Sequence, residues 1–244
     1  MSQEPPVIQR MQQRVQRWQR AADQRAVFLH CYMMMTDNML RAVDAGEFED
    51  RQWVSRLLHR FADYYFEALD VYEQDRDAAP AVWRTAHDAT LAGKCRAVQR
   101  LFLGVNAHIN YDLVLALVDV LEGEWPAADE ALRQRRYRDH CYVNEVIART
   151  VDVVQDEVVE RAEPVMDVVD KLMGPVDEWL TAWLIRRWRD EVWHNAMRYL
   201  QAEQPQARAS LRLQIEAMTL RRADVILLRN GLALGQGERI EARR

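Results

Sequence analysis

Glycine and proline are scarce in this sequence, with 8 and 7 residues in a chain of 244. An all-β sandwich, a glycine-rich nucleotide-binding fold, a collagen-like chain and a disordered tail all require more of these turn-forming residues. Hydrophobic residues nevertheless make up 49% of the chain, which is enough to bury a sizeable core. The composition therefore predicts a helical globular protein.

Cysteine, lysine and positive charge are also limited. The three cysteines, Cys31, Cys95 and Cys141, are widely spaced and fit neither a disulfide framework nor a CxxC zinc site. Lysine supplies only 2 of the 33 basic residues, and the net charge is −5. Arginines cluster densely only at 133–138, whereas nucleic-acid binding needs a broad basic face, so no nucleic-acid partner is expected.

The sequence contains no evident export or membrane signal. The first 18 residues lack the apolar core of a secretory signal peptide. The most apolar long stretch, residues 101–121, contains five polar side chains that would be costly in lipid: Asn106, His108, Asn110, Asp112 and Asp119. We therefore expect a buried helix of a soluble, cytoplasmic protein with no membrane span.

Apolar residues recur at three- or four-residue spacing along most of the chain, which is typical of amphipathic helices. The pattern predicts an all-α, single-domain bundle over residues 1–234, with about eight to ten helices around a buried central helix, and a frayed polar tail at 235–244. The predicted helices cover 7–20, 23–43, a third segment capped by Asp50, a short helix from Pro80, 94–121, 137–161, a short segment between Pro164 and Pro175, 176–201 and 207–230.

The densest polar group in an apolar setting is the central segment Gly104–Leu113. His108 and Asp112 are four residues apart and share one helix face, so they could converge on a metal ion, or Asp112 could orient His108 as a general base. Asn106 and Asn110 form a second pair with the same spacing on another side. The alternative interpretation is that these groups only hydrogen-bond neighbouring helices and fix the register of the bundle.

A second HxxxD pattern, His59 and Asp63, raises the possibility of a two-metal site like that of all-helical zinc phosphoesterases. His59 is expected to face solvent, so Asp63 is the favoured ligand of the two. Asp139 and Asp190 are further candidate carboxylates. His194 completes a single Glu-x-x-His pattern, which does not favour a ferritin-like di-iron centre because that centre needs the pattern twice. The sequence has no GxSxG, Walker or GxGxxG motif.

Several motifs carry a resemblance to a known family: Phe28-x3-Tyr32-x3-Thr36, Phe61-Ala62-Asp63-x-Tyr65-Phe66-x-Ala68-Leu69, Pro80-x2-Trp83-Arg84 and Gly104–Leu113. They resemble an uncharacterised, mostly actinobacterial, all-helical family known only as a domain of unknown function, whose core reads N-A-H-I-N-x-D-L. The sequence departs from that pattern at His59, at Asp63, where Asn is usual, and at Val114, where Pro is usual. The resemblance implies a helical fold and a polar centre but no known reaction.

The leading hypothesis is an enzyme that acts on a small, partly apolar substrate by acid–base chemistry or metal-assisted hydrolysis. The predicted catalytic residues are His108, Asp112, Asn106, Asn110 and the proton donor Tyr32. The predicted metal ligands are His108 and Asp112 with Asp63, Asp139 or Asp190, and the candidate divalent metals are zinc, iron and manganese. No other cofactor is predicted.

Two other functions remain open at this point. The first is a non-catalytic helical protein that binds a small ligand or a partner, in which the polar centre is structural. The second is a membrane-associated lipid handler that uses Trp179, Trp183 and Trp188 as an exposed apolar face. The amphipathic first helix would serve equally as a homodimer contact or as a solvated cap.

Overall fold

The computed structural model describes residues 5–93, 95–158 and 175–228, and the side chains of 97, 98 and 151–182 are not described. The predicted short helix between Pro164 and Pro175 and the predicted polar tail lie outside these residues. The described residues form helices and the turns between them, with no strand in those ranges. The prediction of an all-α fold is therefore confirmed.

Nine α-helices cover most of the described residues, and two of them join into one continuous helix. Residues His108–Asp112 form a π-helical turn that connects α5 to α6, and the segments Arg76–Ala78 and Trp125–Ala127 are short 3₁₀ turns. The helices are α1 Pro6–Arg20, α2 Ala26–Ala45, α3 Arg51–Gln74, α4 Ala81–Leu91, α5 Ala97–Ala107, α6 Leu113–Leu121, α7 Glu130–Val158, α8 Pro175–Gln201 and α9 Pro205–Leu228.

The start of α3 is fixed as the sequence predicts. The Asp50 carboxylate accepts a hydrogen bond from the backbone N–H of Trp53 at 2.9 Å, which satisfies one of the free donors of the first turn. Gly46 ends α2 with a φ of +80°, a conformation that glycine adopts without steric cost.

Helix α7 begins seven residues before the predicted Tyr137. The Asp129 carboxylate accepts from the backbone N–H of Leu132 at 2.7 Å and caps the helix there. The first two turns of α7 are mostly polar and exposed, so they lack the apolar periodicity on which the prediction depended.

The continuous helix α5–α6 lies in the core. Residues Leu113–Val118 are all buried, and contacts come from α2, α3, α4, α8 and α9. Gln99–Leu121 is long and apolar enough to cross a membrane, yet it is mostly buried, as the core helix of a soluble protein is. A mostly apolar helix is buried in this way when other helices surround it.

Helix α1 packs its apolar face against the hydrophobic core, and its residues on that face are at most 3% exposed: Ile8, Met11, Val15 and Trp18. The face of α1 that is left for any partner copy is therefore polar. Of the three tryptophans considered for a lipid-binding face, Trp188 is buried and Trp183 is 44% exposed, while the side chain of Trp179 lies outside the described part.

Candidate functional site

The π-helical turn widens the central helix at the predicted polar centre. The backbone N–H of Leu113 donates to the carbonyl of His108, five residues earlier, where an α-helix would bond four residues earlier. Single π turns within α-helices occur frequently at functional sites. Here the turn contains both His108 and Asp112.

Inside this turn, His108 and Asp112 form a closely held pair. His108 Nδ1 lies 2.9 Å from Asp112 Oδ2, and the two side chains are only 3% and 2% exposed. The indole Nε1–H of Trp83 donates to the same carboxyl oxygen, also at 2.9 Å. Helix α4 therefore fixes the carboxyl group from one side, and the carboxyl group fixes the orientation of the imidazole.

Aromatic rings enclose the imidazole, and we call them the aromatic cage: Phe28, Tyr32, Phe61, Tyr65 and Trp83. Phe61 stacks on His108, with ring centroids 3.5 Å apart and planes 7° from parallel. The Tyr32 ring meets it edge-on at 4.3 Å. The other three rings are 6.0–6.1 Å away. Water is thereby largely excluded from the imidazole.

The second ring nitrogen, His108 Nε2, is buried and has no hydrogen-bond partner among the described residues. Buried polar atoms in folded proteins are nearly always hydrogen-bonded, so each exception calls for an explanation. Of the two ring nitrogens of His108, Nδ1 is therefore bonded to Asp112 and Nε2 is left unsatisfied by the described residues.

Burial governs the protonation of the pair. It lowers the pKa of His108 well below its usual value. It raises the pKa of Asp112 well above its usual value, although the Trp83 hydrogen bond acts in the opposite direction. Both pKa shifts disfavour the charged forms, so the favoured state is the uncharged pair. In that state one proton lies between Asp112 Oδ2 and His108 Nδ1, and His108 carries an N–H at Nε2. Burial also raises the pKa of Tyr32, so its hydroxyl stays protonated at neutral pH.

On the other side of the central helix, the side chains of Asn106 and Asn110 form hydrogen bonds to each other and to neighbouring helices. Asn110 donates to Asn106 Oδ1, and Asn106 donates to the backbone carbonyl of Thr219, both at 2.9 Å. Arg222 donates to Asn110 Oδ1 at 2.6 Å and also pairs with Glu191. This chain of hydrogen bonds ties the central helix to α8 and α9.

The carboxylates predicted as further metal ligands lie in other settings. Asp63 is exposed on α3. Asp139 accepts from the backbone N–H groups of Glu49 and Asp50 at 2.8 and 2.9 Å, and so holds the start of α3. Asp190 is half-buried on α8. Among the described residues, no three His, Cys, Asp or Glu side chains group as a metal ion would require. Of the predicted site residues, the structure thus brings together His108, Asp112 and Tyr32.

The remaining candidate histidines face outwards. His59 and His194 are both exposed, and each bonds through Nδ1 to the carbonyl four residues earlier on its own helix. They therefore lie outside the cage.

The family comparison agrees with the motifs in the sequence. The family model described as Family of unknown function (DUF5995) matches residues 5–229. The chain belongs to this family. The match spans every described helix, which confirms the resemblance to a family of unknown function. No curated protein and no solved structure matches the chain.

For this DUF5995 member, sequence reasoning missed a second polar cavity beside the cage. A narrow pocket with enclosed room for about one water molecule is lined among others by Arg25, His87 and Arg100. One signal was available, because His87 follows Trp83 by four residues and shares its face of α4. The contributions of Arg25 and Arg100 depend on how α2 and α5 pack, which the sequence pattern does not specify.

Proposed function

We propose that the protein is an acid–base enzyme in which the His108–Asp112 pair exchanges one proton with a small, partly apolar substrate. The observation that supports it most is the state of the imidazole, which is anchored at Nδ1 by Asp112 and has no partner at Nε2 within the described part of the chain. A histidine oriented by a carboxylate through one nitrogen, with the other nitrogen available, is a recurrent arrangement for proton transfer.

The number of protons on the His108–Asp112 pair determines the first step of the proposed reaction. In the uncharged state, the Nε2–H is donated to a basic atom of the substrate while the proton of Asp112 moves to Nδ1. Asp112 becomes a carboxylate that is stabilised by the Nδ1–H and by the indole N–H of Trp83. The same pair, now lacking one proton, then accepts a proton at Nε2 and returns to its starting state.

Access to Nε2 requires a side chain of the cage to move. Phe28, Tyr65 and Trp83 are buried, whereas Tyr32 and Phe61 are half-buried. A substrate would therefore enter between Tyr32 and Phe61, and its apolar part would replace the stacked Phe61 ring. The protonated hydroxyl of Tyr32 would supply a second donor.

Two alternative functions have weaker support. Metal-assisted hydrolysis needs further ligands beside His108, and the carboxylates proposed for that role lie elsewhere. The nearly complete burial of the His108–Asp112 pair supports a non-catalytic ligand-binding protein, because a hydrogen-bond network with a purely structural role would be buried in the same way. We further propose a cytoplasmic location, because all three cysteines are free.

Chemical labelling provides a test that needs no known substrate. Diethyl pyrocarbonate modifies neutral imidazole nitrogens, and peptide mass analysis would report the rate at each histidine. We expect His108 to be labelled when transient opening of the cage lets water take the Nε2 proton while the proton of Asp112 moves to Nδ1, because Nε2 then has a free lone pair. His140 is equally buried, but its Nε2 is bonded to the carbonyl of Arg189 at 3.1 Å, so it should remain unlabelled. The exposed His59 sets the upper limit of the labelling rate.

An activity screen completes the test. Small esters, lactones, epoxides and enolisable ketones form the panel, and His108→Gln is compared with the exposed-residue control His59→Gln. Loss of a general acid–base group lowers the rate by roughly 10²–10⁴-fold, and this loss is expected for His108→Gln alone. If His108 is labelled no faster than His140 and the wild type turns over no member of the panel, acid–base catalysis at His108 is contradicted.

A further inference from the structure

The five rings of the aromatic cage hold the imidazole in two different ways. Phe28, Tyr65 and Trp83 are buried and pack on one another, with ring centroids 5.0–5.7 Å apart, so they form a fixed wall. Phe61 is half-buried, and among the rings of the described residues it lies next to only two, the imidazole and the Tyr32 ring. Phe61 can therefore turn outwards without disturbing the wall.

The contact between Phe61 and the imidazole is centred and nearly parallel, with centroids 3.5 Å apart and planes 7° from parallel. Aromatic rings favour an offset or edge-on contact over a centred stack. Because Phe61 is attached to α3, it has less freedom to slide to an offset position than a free ring of the same size has. A planar ring of the substrate would therefore gain by replacing Phe61, whereas a non-planar group would lose the close contact with the imidazole.

The charged side chains of α3 next to Phe61 are either paired or exposed. Arg60 pairs with Asp119 at 2.6 Å and with Glu67 at 2.7 Å. Asp63 is exposed to water, which weakens its electrostatic interactions. The imidazole and its carboxyl partner are held uncharged. Since an isolated charge is costly to bury, the part of the substrate that lies inside the cage is uncharged.

The hydrogen bond to Nε2 determines where the polar atom of the substrate lies. The Nε2–H of the uncharged pair is a donor, so the substrate atom accepts. This N–H points outwards in the plane of the imidazole, whereas a ring in the position of Phe61 lies parallel to that plane and above it. The accepting atom therefore belongs to a short side chain of the substrate ring, which reaches down to the imidazole plane.

We propose that the substrate of the His108 site is an uncharged molecule with a planar ring, which takes the place of Phe61, and a hydrogen-bond acceptor on a short side chain, which binds Nε2. Phe61 is then the residue that determines the preference for a flat ring. The proposal rests on the proposed function, since it names the substrate class of the same site, but the binding that it describes can be measured without turnover.

The alcohols 2-phenylethanol and 2-cyclohexylethanol test the shape requirement on the intact chain. Both carry a hydroxyl group on a two-carbon chain, and only the first has a planar ring. Titrations followed by ¹H–¹⁵N spectra of the imidazoles, with the His108 signals assigned through His108→Gln, would give each Kd. We expect 2-phenylethanol to bind at least about threefold more tightly, although 2-cyclohexylethanol is the more hydrophobic of the two.

The charge requirement is tested with the 2-phenylethylammonium ion, which has the same ring and chain length as 2-phenylethanol. An ammonium group only donates hydrogen bonds and cannot accept one from the Nε2–H. We therefore expect its Kd at pH 7 to be at least about tenfold higher than that of 2-phenylethanol.

Two alanine variants test the role of Phe61. Phe61→Ala removes the ring with which the ligand competes, so the Kd for 2-phenylethanol should fall at least about tenfold. Tyr142→Ala truncates a half-buried ring on α7 that lies outside the cage, and it should leave the Kd unchanged. Thermal unfolding reports whether each variant is folded. Phe61→Val also removes the ring and gives the same test if the alanine variant does not fold.

Several outcomes would overturn the proposal: no saturable shift of the His108 signals with 2-phenylethanol, equal or tighter binding of 2-cyclohexylethanol or of the ammonium ion, or an unchanged Kd in the folded Phe61 variants. Failure of the proposed function gives a different result. Saturable binding of 2-phenylethanol at His108 without turnover of any member of the activity panel would contradict catalysis and support the ring-binding site. Turnover of non-planar panel members as fast as of planar ones would contradict the ring preference alone.

Discussion

The two polar faces of the central helix differ in how completely they are paired. Both consist of residues four apart, and both are buried among apolar helices. On one face, Asn106 and Asn110 bond to each other, to the backbone of Thr219 and to Arg222. On the other face, His108 bonds to Asp112 and Asp112 to Trp83, but no residue that the structure describes bonds to Nε2 of His108. Spacing therefore identifies a shared face, and partnering distinguishes a structural face from a candidate site.

The strongest test of this distinction is to break the asparagine face. Asn110→Ala leaves Asn106 and one guanidinium donor of Arg222 without their partner in a buried setting. We expect the free energy of unfolding to fall by about 3 kcal/mol, measured by urea denaturation. The labelling rate of His108 should stay at the wild-type value, since the cage lies on the other side of the helix.

The exposed pair Gln214 and Ser210 on α9 provides a control with the same kind of hydrogen bond, 3.3 Å long. Gln214→Ala should change the free energy of unfolding by less than about 0.5 kcal/mol. If Asn110→Ala costs as little as Gln214→Ala, the asparagine face does not hold the bundle together and the contrast between the two faces is lost.

The histidine face should make the free energy of unfolding depend on pH. Burial keeps His108 neutral in the native state, while the unfolded imidazole takes up a proton at about pH 6.5. Below that pH the unfolded state binds more protons, so this residue lowers the free energy of unfolding as pH falls. Asp112 acts oppositely: the native state keeps a proton that the unfolded carboxyl loses above about pH 3.9. Between these two pH values the slopes oppose each other in the wild type.

Asp112→Asn removes one of the two opposing slopes. The variant's free energy of unfolding should fall by about 1.4 kcal/mol per pH unit below pH 6.5, or about 2 kcal/mol by pH 5, whereas the two opposing slopes keep that of the wild type level over this range. Thermal or urea unfolding at a series of pH values measures the difference. Asp63→Asn, at an exposed position on the neighbouring α3, is the matched control. Parallel profiles for wild type and Asp112→Asn would mean that the pair is not held in its uncharged state.

The sequence pattern predicted the fold class, most helix bounds and both polar pairs, because all of these depend on local periodicity. The π turn was not predicted, since a bond to the residue five positions back arises from packing around the helix. The role of Asp139 was also not predictable, because it bonds backbone groups about 90 residues away in sequence. The pocket at His87 and Arg100 was missed for the same reason: it exists only where four helices meet.

Gly104 connects the histidine face to its cage, and its substitution gives the smallest predicted effect. A Cβ at this position would lie 2.4 Å from Cγ and 2.9 Å from Cβ of Phe28, so the ring and its helix would both have to shift. Overpacking of this kind costs about 1–3 kcal/mol, and alanine returns about 1 kcal/mol through its higher helix propensity. We expect Gly104→Ala to lower the free energy of unfolding by about 1 kcal/mol, measured in urea.

The same variant should also loosen the cage, because Phe28 contacts His108, so diethyl pyrocarbonate should label His108 faster than in the wild type. Gly123→Ala is the matched control, since a Cβ at Gly123 meets no atom of the described residues within 4 Å. It should be neutral or slightly stabilising, with an unchanged labelling rate. If Gly104→Ala behaves as Gly123→Ala does in both measurements, then the close approach of α2 neither strains the helix nor controls access to the histidine, and the closed cage would owe its shape to Phe61 and Tyr32 alone.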